Sequence, residues 1–87
     1  MPPFFFHTVD GGEHRDNEGT DLPGIAEARA AAVRYGGALL ADDPDLLWDG
    51  REMRVEVADE DGRLVATIVV LAIDGGAADG EALARHH

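Results

Sequence analysis

The 87-residue chain carries eighteen acidic and seven basic residues, a formal charge of −11, and such a surface repels both nucleic-acid phosphates and anionic lipid. That argues against direct nucleic-acid or membrane binding and leaves a basic protein partner, or simple solubility, as the use of the charge. The absence of cysteine removes disulfides, thiolate nucleophiles and cysteine-bound zinc, and suits a reducing compartment.

A chain this short forms one domain with one core. It buries roughly 60% of the surface its unfolded form exposes, so an added interface would help it appreciably. The N-terminus lacks the basic and apolar regions of a signal peptide, and the longest apolar run, "LVATIVVLAI", is too short for a transmembrane helix. These features predict a soluble, cytoplasmic bacterial protein with a single domain over residues 1–74 and a flexible Gly/Ala-rich tail over 75–87.

In chain order, "PFFFHTVD" is aromatic and β-branched and stops at "DGG", which reads as a strand entering a hairpin. A short polar return strand is expected from Glu13 to Asp16. "NEGTDLPG" then reads as loop, punctuated by Gly19, Pro23 and Gly24. From Ile25 to about Ala41 the period changes: Ile25, Ala28, Ala32, Tyr35 and Leu39 recur at helical spacing. Gly36 and Gly37 weaken this helix by about 1 kcal/mol each relative to alanine, marking either close approach or fraying. Pro44 confirms that the helix has ended.

Further on, Met53, Val55 and Val57 alternate with Arg54 and Glu56, as in a half-buried strand. "DEDG" supplies a tight turn with Gly62 free to take a positive φ. The strand from Arg63 to about Ile73 is apolar on both faces. The expected fold is α+β, a four-stranded, mostly antiparallel sheet in ββαββ order with one helix on one face. The doubly apolar first and last strands are expected at the centre and the second and third at the edges.

Three consecutive phenylalanines pose a question about that arrangement. Neighbouring side chains on a strand point to opposite faces, so either Phe4 and Phe6 or Phe5 face the helix. The opposite face would carry a stripe of Phe5, His7, Val9, Val69 and Leu71, more apolar surface than a monomer commonly leaves open. A second copy or another protein is the expected cover.

The stretches "FFFHTVDGG", "DNEGTDLPGIAEARAAAVRYGGALLADDPDLLWDG" and "REMRVEVADEDGRLVATIVVLAI" resemble a family of short bacterial proteins known as domain of unknown function 6894. The resemblance runs from about Pro3 to Asp74. It rests chiefly on "DxEGxxLP" (Asp16, Glu18, Gly19, Leu22, Pro23), on "LWDGREMRVEV" and on "DEDGR". Two features depart from the family pattern: Gly24 stands where an acidic helix cap is usual, and the second strand is shorter. The resemblance implies a small acidic domain and no particular activity. Asp21 to Gly24, with the element order, is also similar to the N-terminal part of HicB-type antitoxins, without their DNA-binding segment.

No catalytic set assembles from the residues. His7 needs a nucleophile, and only Thr8, Thr20 and Thr67 offer aliphatic hydroxyls in a serine-free chain, so a structural histidine is expected. A calcium loop starting at Asp16 would place Asp21 where the turn needs glycine and Glu27 inside the helix, so Asp16 and Glu18 are expected to bond backbone amides instead. "DGG" at Asp10 and "DGGAADG" at Asp74 lack the strand–loop–helix context and lysine of a phosphate loop. Trp48 is expected to plug the end of the core with Leu46 or Leu47. His14 is read as a solvated turn residue, and His86 and His87 as either native or appended. The sequence predicts no catalytic, metal or cofactor site. It predicts a non-enzymatic module that forms a homodimer or binds a protein, with an antitoxin-like inhibitor of a basic nucleic-acid-binding partner as the alternative.

Overall fold

The computed structural model describes residues 2–50 and 52–75. Strand β1 (Pro3–Val9) turns through Gly11 into β2 (Glu13–His14), and a loop leads to β3 (Thr20–Asp21). Helix α1 (Ile25–Asp42) follows, then a single 3-10 turn (Leu46–Asp49). Strands β4 (Glu52–Ala58) and β5 (Leu64–Leu71) form a hairpin. The fold is α+β, as expected, with five antiparallel strands in one sheet where four were predicted.

The strand order is β2–β1–β4–β5, with β3 also paired to β1. This corrects the expected arrangement: β4 is central and β5 lies at the edge. Charge alternation in β4 marks an exposed face, not an edge, because Arg54 and Glu56 point away from the helix while both neighbours pair its backbone. The predicted return strand also ends early, at His14, and a further two-residue strand, β3, restores the pairing. Beyond residue 75 the predicted tail lies outside the described residues.

Phe4, Met53, Val55 and Val57 pack beneath Ala28 and Ala32 as the buried core, with Phe6, Ala66, Ile68 and Val70 around them. Phe4 and Phe6 therefore face the helix. The helical stripe runs through Ala28, Ala32 and Gly36, whereas Ile25 and Tyr35 remain nearly half exposed. Gly36 marks close approach: a Cβ there would meet Met53 Cε and Val55 Cγ2 at 3.4 Å. Small residues let the helix sit down over β4, and the helix continues unbroken past Gly37.

The hairpin turn is held by Asp59. Its side chain accepts from the N–H groups of Asp61 and Arg63, both at 2.9 Å, and Gly62 takes φ +82° as predicted. Opposite Ala58, β5 carries a bulge where Leu64 and Val65 share one partner position. Leu46 and Leu47 pack against the core, but Trp48 is 61% exposed, which corrects its expected role as a plug. A single tight turn can direct two adjacent leucines inward only by sending the next side chain out.

Candidate interaction surface

One edge of β1 is completed by a side chain. Antiparallel pairing alternates, so Phe4, Phe6 and Thr8 turn their backbone groups toward the β2/β3 side. Phe4 pairs Thr20 of β3 and Thr8 pairs His14 of β2. Between them the chain leaves the edge, and Asp16 Oδ2 accepts from Phe6 N–H at 3.1 Å in place of a backbone carbonyl. Asp16 Oδ1 accepts from Glu18 N–H at 3.0 Å and Gly19 N–H at 3.1 Å, closing the loop. Burial pushes the Asp16 pKa up, but the N–H groups of Gly19, Phe6 and Glu18 outweigh it and hold the pKa below the ordinary 3.8.

His7 is only 8% exposed, and its Nδ1 accepts from Asp16 N–H at 3.0 Å. That bond places the ring proton on Nε2 and explains the residue structurally. The expectation that the acids organise the loop holds for Asp16. Glu18 contributes its backbone N–H, and its carboxylate makes none of these bonds. Among the described residues no cluster of three histidine or acidic side chains is arranged to hold a metal ion.

The same loop answers what covers Phe5. Its ring lies against Gly19, close enough that a Cβ there would stand 2.9 Å from Phe5 Cε2. On the helix side the loop borders an open cleft of about 660 Å³ between Phe6, Thr20, Ala31 and Tyr35. The Phe6 and Tyr35 rings meet edge to face there, with centroids 6.5 Å apart.

All five residues of the expected stripe lie on the face away from α1, but they differ in exposure. Phe5 and Val9 are half-buried and His7 is buried, whereas Val69 and Leu71 are 50% and 54% exposed. Across the sheet, His7 faces Glu56 and Val9 faces Arg54, whose guanidinium approaches Glu52 at 3.3 Å and Glu56 at 3.7 Å. The uncovered apolar surface has thus moved off β1, past a charged strip on β4, onto β5.

Among the described residues, no strand pairs the outer side of β5. The alternation that points Phe6 outward carries through the registers, so Met53, Val55 and Val57 bond toward β5 and meet Val70, Ile68 and Ala66. Thr67, Val69 and Leu71 therefore turn their N–H and C=O groups away from β4, along the outer edge. No charged residue or proline interrupts Leu64–Leu71. Sequence reasoning identified Val69 and Leu71 but not this backbone edge, because edge position depends on long-range pairing.

A family model described as Domain of unknown function (DUF6894) matches residues 4–72. No curated protein and no solved structure matches the chain.

Proposed function

The chain belongs to the DUF6894 family, and we propose that it is a non-enzymatic module, self-associating or protein-binding, that works through the outer side of β5. The observation that carries this reading is the edge itself. Among the described residues, no strand pairs the outer side of an eight-residue strand without a single charge, and its Leu64, Val69 and Leu71 are all at least half exposed. Proteins commonly blunt such an edge with lysine, proline or a covering segment, because it templates pairing with another chain. The non-enzymatic part is supported by His7, whose Nδ1 is occupied by a structural bond. The cytoplasm is the compartment that suits its cysteine-free composition.

The charge supports a second reading, an antitoxin-like inhibitor that neutralises a basic nucleic-acid-binding protein through the same edge. Pull-down from the native host with the intact protein and with Val69→Asp/Leu71→Asp tests both. A basic nuclease-like protein lost with the variant favours the second reading, and self-association lost with the variant favours the first. Equal recovery of every protein by both baits, with no self-association, refutes the use of β5.

A further inference from the structure

We infer that the cleft between the 14–20 loop and α1 receives the guanidinium of an arginine side chain presented by another polypeptide. This goes beyond the β5 reading, because the cleft lies at the β2/β3 end of the sheet and β5 lies at the other. Two walls of the cleft are aromatic. The Phe6 and Tyr35 rings meet at 63° and make a corner, and Tyr35 is 44% exposed, so part of its surface is open to a partner. The charged groups around this corner divide into engaged and unengaged ones. Arg15 approaches Glu13 at 3.4 Å, and His14 approaches Asp10 at 3.3 Å. Asp16 uses both carboxylate oxygens on N–H groups of its own chain. Glu18 alone lines the cleft with a charge that has no partner among the described residues.

Counted with their partners, these groups amount to four carboxylates and one guanidinium, with the histidine neutral. An anion is therefore repelled, and a cation is attracted by the local charge as well as by the −11 of the whole chain. A guanidinium answers both the rings and the carboxylate. It is planar and weakly hydrated, so it stacks on an aromatic ring more readily than the compact, strongly hydrated ammonium of lysine. Its N–H fork also pairs a carboxylate through two parallel bonds, which suits Glu18. The shape of the cleft decides the source. Sites for free small molecules bury roughly 70–90% of the ligand surface, whereas this cleft is open to solvent. It can cover one side chain and leave the rest of the partner outside, where a polypeptide finds further contacts and a free metabolite finds none. A free amino acid would also bring its own carboxylate against the same acids.

The test is an NMR titration of the isotope-labelled full chain, followed through its backbone amides. The probes are a short capped glycine peptide with one central arginine, the same peptide with lysine, and free arginine. The arginine peptide should give saturable shifts at Phe6, Glu18, Gly19 and Tyr35, with the other two probes about tenfold weaker. Glu18→Gln leaves the backbone bonds of the loop in place, and Tyr35→Leu keeps an apolar side chain on the helix. Each should weaken the arginine peptide by about fivefold. Val69→Asp, at the far end of the sheet, should leave its binding unchanged. No saturable shift in the cleft at millimolar arginine peptide overturns the proposal. Equal binding of the arginine and lysine peptides overturns the guanidinium, and free arginine binding as tightly as the peptide overturns the polypeptide source. Shifts that survive both Glu18→Gln and Tyr35→Leu put the contact elsewhere and overturn it too.

Discussion

Replacing Gly19 with alanine sets two physical effects on one residue. The backbone there has φ +77°, a left-handed conformation that costs an L-residue roughly 1–2 kcal/mol. The added Cβ would also lie 2.9, 3.1 and 3.2 Å from three carbons of the Phe5 ring. That ring is planar and anchored on β1, so it can yield only by moving the strand or the loop, and overpacking of this kind costs roughly 1–3 kcal/mol. The sum, about 2–5 kcal/mol, is a large share of the roughly 4–13 kcal/mol expected for a domain of this size. Gly62 provides the control. Its φ of +82° is nearly the same, but nothing lies within 4 Å of a Cβ there, so Gly62→Ala should cost only the backbone share. Urea denaturation of both variants measures the difference, and Phe5→Leu combined with Gly19→Ala should recover the steric share. If Gly19→Ala costs no more than Gly62→Ala, Phe5 is not held against the loop and its cover must be sought elsewhere.

Gly37 is helical and a Cβ there meets nothing, so Gly37→Ala should stabilise by about 1 kcal/mol, raising the midpoint of a thermal melt by about 4–8 °C. Gly24 caps α1 in extended backbone without a side-chain bond, and Glu27 stands three residues on. Gly24→Ser should complete a capping box and stabilise by a few tenths of a kcal/mol to about 1 kcal/mol, read by the same melt. Asp16→Asn should destabilise by about 1.5–3 kcal/mol in urea at neutral pH, because one amide oxygen replaces a carboxylate bonded to three N–H groups. The folded pKa of Asp16 lies below its unfolded value, so its contribution is full above about pH 4 and is lost as pH falls through the folded pKa. The difference between wild type and Asp16→Asn should therefore shrink below pH 4, and a constant difference down to pH 2 would contradict the carboxylate bonding.

Local patterns were sufficient for much of this molecule. Helical spacing from Ile25 onward, alternation from Met53 to Val57 and the glycine after "DED" each reflect one residue's relation to neighbours a few positions away. They identified α1, β4 and the hairpin turn directly, and the choice of Phe4 with Phe6 or of Phe5 was already reduced to two outcomes. Tertiary structure decided what depends on distant partners. Strand β5, apolar on both faces, looked central and β4 looked like an edge, because an apolar pattern reports faces and says nothing about neighbours in the sheet. Phe5 looked uncovered because its cover is a glycine fourteen positions on, without a side chain to advertise the contact. Asp16 read as a turn acid, yet it also completes the β1 edge, a role set by the break between two short strands. The place of β5 at the end of the described strands follows only from the β1–β4 pairing, since nothing in its own apolar pattern tells an edge from the centre of the sheet.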